Sequence, residues 1–183
     1  MKLKLYIDFD GVILNTIDVS YKLIEEQGIE LLDSNHEKIQ HFFINLDWSK
    51  LISLSKPINN SIKYLKELMN SNLYDVTILT HVNTKKEINV KQKYLDEVIP
   101  GIDVIYVNKK DNKCDVVDCK NTILVDDFTG NLDLWHQKGG ISIKFSTTNK
   151  KYEYMTIDNL GTLIEKYNEI SKLVDKKIEK NVV

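Results

Sequence analysis

The stretch Leu3-Lys4-Leu5-Tyr6-Ile7-Asp8-Phe9-Asp10-Gly11-Val12 decides how the rest of the chain is read. Leu3 to Ile7 is a short apolar run that predicts a strand, and two carboxylates stand one residue apart where it stops. Strand side chains alternate, so positions i and i+2 share a face, and Asp8 and Asp10 can aim at one small volume. Like charges that close repel, and one is protonated unless a cation neutralises them. The pair therefore asks for a metal ion, or for a division into nucleophile and acid. Gly11 lets the chain turn at once. Alone, Asp-x-Asp-Gly is also an ordinary polar turn, so its meaning depends on partners elsewhere in the chain.

The bulk properties narrow the classes. A length of 183 residues fits one domain with a small insertion. An apolar content of 42% and a charged content of 28% are those of a soluble globular protein. With 25 basic against 27 acidic residues, the net charge of −2 lacks the basic excess of a nucleic-acid binder. No apolar run approaches the roughly 18 residues of a membrane span. Met1-Lys2-Leu3-Lys4 leads straight into the strand without a signal-peptide apolar region, so a cytoplasmic location is expected. Cys114 and Cys119 make neither a disulfide scaffold nor a zinc site and read as reduced thiols. Every basic residue is Lys and none is Arg. Any phosphate must then be held by ammonium, hydroxyl and backbone N–H groups rather than by a guanidinium fork.

Periodicity gives the order of elements. Thr16 to Gln27 predicts a helix with Ile17, Tyr21 and Ile24 inward and Gly28 as its stop. His36 to Leu46 predicts another, with Ile39, Phe42, Phe43 and Leu46, followed by Asp47 to Ile52. Residues 17–56 thus read as a small helical unit without a clear strand. Pro57 suits a first helical position, ahead of Ile58, Ile62, Leu65 and Met69. Tyr74 to Thr80, Ile102 to Val107, Asn121 to Val125 and Ile141 to Phe145 predict four further strands. Thr84-Lys85-Lys86-Glu87 is a capping-box pattern that opens a helix with Ile88, Leu95 and Val98 or Ile99 inward. A short helix around Leu132 and Trp135 ends at Gly139-Gly140. Asp158 to Lys180 predicts one amphipathic helix with lysines in its last turns. Strands alternating with helices imply an α/β fold, a three-layer Rossmann-like parallel sheet. Its small helical cap (17–56) is inserted after the first strand, between core segments 1–16 and 57–183.

Ligands of open parallel sheets bind beyond the carboxyl ends of the strands. At those ends stand Asp8 and Asp10, then Thr80 and His81, then the polar run Asn108 to Lys113, then Asp126 and Asp127. Four strands bring carboxylate, hydroxyl, ammonium and carboxylate to one edge.

This order, Asp-x-Asp-Gly-Val, then Thr, then Lys, then Asp-Asp, resembles the haloacid dehalogenase-like hydrolases, mostly Mg²⁺-dependent phosphatases. The resemblance covers about residues 1–16 and 57–150, and the helical insertion is similar to that family's small cap. Within the family the chain looks most like the 5′(3′)-deoxyribonucleotidases, through the start, the short cap and the segment Asn131…Trp135…Gly139-Gly140-Ile141…Phe145.

The resemblance implies a role for each position. Asp8 is the expected nucleophile, forming an aspartyl-phosphate. Asp10 is the expected acid and base, protonating the leaving alkoxide and then deprotonating the water. Mg²⁺ is the expected cofactor, held by the Asp8 carboxylate, the Asp10 backbone carbonyl and the Asp126-Asp127 pair, with Asp127 as ligand and Asp126 as its support. Thr80 is expected to bind a phosphoryl oxygen, helped by N–H groups near Thr84. Lys113 is the favoured phosphate lysine, with Lys109 and Lys110 as alternatives. His81 stands beside this position as a further substrate contact, although a surface or capping histidine would read the same way. Trp48 or Phe43 is expected to stack on a base, although either also suits a core. The expected partner is a small phosphorylated metabolite, by preference a deoxynucleoside monophosphate, with a sugar phosphate as alternative. Neither a nucleic-acid polymer nor a membrane is expected. A signalling receiver domain uses similar groups, but there the acidic pair comes first and the phospho-acceptor later, the reverse of this chain.

Overall fold

The computed structural model describes residues 2–180. Met1 and residues 181–183, which the expected core range includes, lie outside the described residues. Six parallel strands form one sheet in the order β3-β2-β1-β4-β5-β6. They are β1 Leu3–Ile7, β2 Tyr74–Val82, β3 Asp103–Asn108, β4 Ile123–Asp126, β5 Ile141–Phe145 and β6 Met155–Ile157. β1 lies between β2 and β4, with Ile7 in register with Ile78 on one side and Val125 on the other. Such a strand is covered on both faces at its carboxyl end, where Leu5, Tyr6 and Ile7 are all buried, while Lys4 near its start pairs with Asp75.

Leu5 and Ile7 join one cluster with Ile78, Val125 and Ile143. That cluster is closed by Leu65 and Leu68 of α4 (Ser61–Asn70), Leu95 of α5 (Lys85–Val98) and Ile170 and Val174 of α9 (Tyr167–Lys180). Tyr6 points the other way, into a cluster with Leu79, Val107, Leu124 and the α7 residues Leu132 and Trp135 (α7, Thr129–Gln137). Each fully buried aliphatic side chain contributes on the order of 1.5–3 kcal/mol, so these two layers hold the sheet from both sides.

Between β1 and α4 the chain forms α1 (Thr16–Glu26), α2 (His36–Asn45) and α3 (Trp48–Leu54), and no strand. The two crossings between this helical segment and the sheet run side by side. Asn15 N–H donates to Lys56 O at 3.1 Å, and Lys56 N–H donates to the Asn15 side chain at 2.6 Å.

Several boundaries differ from expectation. Pro57 does not open a helix: it bridges to Leu14 in extended form, and α4 starts at Ser61. Ser61 Oγ donates to Ile13 O at 2.7 Å, which ties that start to the β1 loop. α1 buries Thr16, Ser20 and Ile24, whereas Tyr21 is 45% exposed, so its inner face is rotated from the expected one. The expected single helix from Asp158 to Lys180 divides into the short α8 (Thr162–Glu165) and α9, and an unexpected strand, β6, precedes it. The edge strand β6 has only three residues, too few for a periodic signal. α6 (Lys113–Val116) is a single turn ahead of β4. No helix among the described residues is long and apolar enough to cross a membrane.

Candidate active site

The strand order reverses direction between β1 and β4, so a crevice forms beyond their carboxyl ends. That topology, not sequence proximity, brings the first acidic pair to the second. Asp8 follows β1 directly, and its N–H donates to Val125 O at 2.9 Å. Asp126 is the last residue of β4. Carboxylate oxygens of Asp8, Asp126 and Asp127 all lie within 4.8 Å of one another. Lys113, at the start of α6, reaches into this group with only 2% exposure. Its Nζ is 2.6 Å from Asp126 Oδ2 and 2.9 Å from Asp8 Oδ1. The second distance is that of an ion pair, but the approach is off the hydrogen-bond direction, and among the described residues that buried oxygen has no hydrogen-bond donor.

The three carboxylates are not equivalent. Asp126 is saturated: Oδ1 accepts from Phe128 N–H at 2.8 Å, and Oδ2 accepts from Lys113 and, at 2.9 Å, from the Asn131 side chain. Burial lifts the Asp8 carboxyl to about 6, with the charges of Asp126 and Asp10 adding to the effect and Lys113 opposing it. Burial likewise lifts Asp127 to about 7, reinforced by Asp8 and Asp126 and opposed by Lys144. Gly11 brings its backbone against Asp127. It has φ +74°, and a Cβ there would stand 2.3 Å from Asp127 Oδ2, so only glycine fits. An orphaned buried oxygen, two carboxylates resisting ionisation and an oxygen-only donor set suit a hard divalent cation such as Mg²⁺.

The Asp10 carboxylate lies apart from this cluster. Thr16 Oγ donates to its Oδ1 at 2.7 Å, and Lys91 Nζ donates to its Oδ2 at 2.6 Å. Thr80 is fully buried beside it, its hydroxyl 3.5 Å from Asp10 Oδ2. Lys91 is also fully buried and makes a second ion pair, 2.8 Å from Glu87 Oε1. Burial works against that ammonium, but Asp10 and Glu87 outweigh it and hold its pKa above the usual lysine value.

The remaining expected residues are distributed unevenly. Lys109 and Lys110 are exposed, and of the three candidate lysines Lys113 touches Asp8. His81 turns to the loop after β3, with Nε2 3.0 Å from Asp111 O. Burial and the charge of Lys113 lower its pKa, although the contact to Asp111 opposes them. Trp48 differs from an open stacking platform. It is 6% exposed, its ring centroid lies 5.1 Å from Lys91 Nζ, and its indole N–H is buried without a partner among the described residues. Phe43 is partly exposed and packs edge-on against Phe42, with centroids 5.4 Å apart.

Four residues were not anticipated: Thr16, Glu87, Lys91 and Lys144. Thr16 read as a helix start and Glu87 as a cap. Glu87 and Lys91 are four apart on α5, a spacing that is common for ion pairs on solvent-facing helix surfaces. Leu95 is four further on, and 87, 91 and 95 are the buried stripe of α5. That shared face was the available signal. Lys144 sits near the end of β5, 5% exposed, and its ammonium contacts the Asp127 backbone carbonyl.

Compared by sequence, the chain matches no family model and no curated protein. Compared by structure, it resembles several solved hydrolases. A hydrolase from Pseudomonas syringae superposes with a TM-score of 0.62 at 11% identity, over 92% of this chain and 99% of the other. A HAD hydrolase of family IA, variant 3, from Entamoeba histolytica gives 0.63 at 15% identity, over 96% and 100%. A phosphonoacetaldehyde hydrolase-like protein from Oleispira antarctica gives 0.66 at 9% identity, over 96% and 94%. The α/β architecture is therefore that of the haloacid dehalogenase-like hydrolases, along nearly the whole chain.

Proposed function

We propose that this protein is a Mg²⁺-dependent phosphomonoesterase working through an aspartyl-phosphate, with a small phosphorylated metabolite, by preference a deoxynucleoside monophosphate, as substrate. The observation that carries this reading is the unequal treatment of two carboxylates on one strand end. Asp8 has a buried oxygen without a donor, beside an ammonium and two further carboxylates. Asp10 is turned away from that cluster toward Thr80, Thr16 and Lys91. One is equipped to attack and the other to carry a proton.

The chemistry follows from those positions. An Asp8 oxygen attacks phosphorus in line, the bond from phosphorus to the leaving oxygen breaks, and a proton passes from Asp10 to that oxygen. Water then attacks the aspartyl-phosphate and gives a proton to Asp10. The bond between phosphorus and Asp8 breaks, and orthophosphate leaves with both carboxyl groups restored. Lys113 restrains Asp8 and offsets charge on the phosphoryl oxygens. Thr80 offers its hydroxyl to one of those oxygens. Asp8, Asp127 and the Asp10 carbonyl would hold Mg²⁺, which when bound supplies charge neutralisation at the phosphoryl group.

A cleft of about 400 Å³ opens beside Asp127, lined by Gly11, Asn15, Lys56, Ser146 and Tyr152. That volume is in the range of small-molecule sites. A sugar phosphate is the second reading, favoured by the covered ring of Trp48, which leaves Phe43 as the more open aromatic of the two. The test is phosphate release from nucleoside monophosphates and sugar phosphates with Mg²⁺. Turnover of deoxynucleotides above the rest supports the preferred substrate. Turnover of sugar phosphates alone supports the second reading, and no release from any ester overturns the phosphatase assignment.

A further inference from the structure

We propose that Lys91 is a positioning residue for Asp10: with Glu87 it fixes the plane of the proton-carrying carboxylate from the start of α5. This rests on the phosphomonoester reading of the site and adds a part to it. The ammonium is fully buried, where a lone charge is costly, so its position is set by what it pairs with. Its shortest contact is to Asp10 Oδ2, at 2.6 Å, with Glu87 Oε1 at 2.8 Å. His81 O at 3.2 Å and Thr80 Oγ at 3.4 Å are the further acceptors around it.

Glu87 is itself fixed by the helix start. Its N–H donates to the Thr84 side chain at 3.2 Å, and its Oε2 accepts from Asn83 N–H at 2.7 Å. The arm of a capping box that returns to the backbone therefore lands on Asn83, and its other oxygen is free for Lys91. The order of restraint runs from the α5 N-terminus to Glu87, to Lys91, to Asp10. Thr16 holds the opposite oxygen of Asp10 at 2.7 Å. The carboxylate is clamped on both sides, yet its side chain keeps 18% exposure, an edge open to a ligand. The rings of Phe9 and Trp48, with centroids 5.2 and 5.1 Å from the ammonium, shield it from water. Proton transfer depends on placement within a few tenths of an ångström, and a displaced acid loses its rate advantage while substrate binding persists.

The test uses Lys91→Met, which keeps the stem and removes the charge, on two esters with Mg²⁺. Glycerol 2-phosphate has a poor leaving group that needs a proton, whereas p-nitrophenyl phosphate has a good one that needs little help. The expected result is a kcat loss of roughly 10²-fold on the first, less than about 10-fold on the second, KM nearly unchanged, and partial rescue in Lys91→Arg. Equal losses on both esters, or a loss carried by KM, would overturn the proposal. Should Lys91→Met fail to fold, Lys91→Met/Glu87→Gln removes the stranded carboxylate and serves in its place. A crystal structure of whichever variant folds separates the two levels of inference. If wild type releases phosphate from neither ester nor from any nucleotide or sugar phosphate, the phosphatase reading fails, and Lys91 is then judged by Asp10 alone. A carboxylate rotated off Thr16 supports the positioning role, and one unmoved from its wild-type rotamer overturns it.

Discussion

Two buried lysines flank the end of β1, each bridging two carboxylates, and they are not alike. Lys91 joins Asp10 to Glu87, and every carboxylate there has a further donor: Thr16 on Asp10, Asn83 on Glu87. Lys113 joins Asp8 to Asp126, but Asp127 stands beside them and Asp8 Oδ1 is left without a hydrogen bond. The first cluster is closed and holds geometry. The second sets three carboxylates around the Lys113 ammonium, with Lys144 reaching only the Asp127 backbone carbonyl, and its excess negative charge suits a cation. Charge balance thus separates a cluster whose carboxylates are all paired from one with negative charge to spare, although both use the same residue types.

The strongest way to break this comparison is Asp8→Asn. Turnover is expected to fall to background, because the amide cannot act as the nucleophile. The fold is expected to gain, since burial and neighbouring charges disfavour the ionised form of Asp8. Without Mg²⁺ at pH 8 the thermal midpoint should therefore equal or exceed that of wild type. A drop in midpoint alongside the lost activity would make Asp8 a structural residue.

Lys113→Met comes next and probes the same cluster from its cationic side. Removing one partner of a buried pair typically costs about 3–5 kcal/mol, here because Asp8 and Asp126 lose their shared ammonium. The rate is expected to fall by roughly 10²–10³-fold, the scale of losing one charge-stabilising group. Mg²⁺ should recover part of the stability in a melting experiment, since it supplies the missing charge. A variant insensitive to Mg²⁺ would mean that the cluster does not take the ion.

A smaller effect separates the clusters by pH. In the metal-free protein Asp8 is raised from 3.8 to about 6 and Asp127 from 3.8 to about 7. Between about pH 4 and 7 the unfolded chain has released these protons while the folded chain still holds them, so stability falls as pH rises through that window. On the proposed reading Mg²⁺ takes the ionised groups, so its apparent affinity should rise across the upper part of the window and level off above about 7. The check is the Mg²⁺-induced shift in melting temperature, which should be larger at pH 8 than at pH 5. An equal shift at both values would place the ion elsewhere.

The strand-end residues of both clusters were far more legible in the sequence than the helical ones, for a physical reason. Asp8 and Asp126-Asp127 of one cluster, and Asp10 and Thr80 of the other, stand at or near the ends of buried strands, where polar residues interrupt apolar runs. Any parallel sheet brings such ends to one edge. The strand order that sets Asp8 beside Asp126 was not written in any local pattern, although alternation of strands and helices implied an edge of this kind. Glu87 and Lys91 lie within a helix, where charges are the rule on the solvent face, and only the burial of Leu95 on the same stripe reveals their direction. Thr16 reads as a helix start and is one, but its hydroxyl is spent on Asp10. The extended Pro57 and the short β6 were missed because each is fixed by a long-range pairing, to Leu14 and to β5.

The finest test of the contrast is Thr16→Val. Valine keeps the β-branched shape at a position that is 2% exposed, and removes the hydroxyl that donates to Asp10 Oδ1 at 2.7 Å. If the Lys91 side of the clamp is dominant, Asp10 stays in place on its ion pair. The cost is then that of one hydrogen bond to a charged group, about 1.5–3 kcal/mol at most, with the rate lowered by less than about 10-fold. The loss should fall on kcat and be larger for a poor leaving group than for a good one, in the same direction as Lys91→Met but weaker. A Thr16→Val loss equal to that of Lys91→Met would mean that the two sides of the clamp act as one unit, and the closed cluster would then include α1 as well as α5.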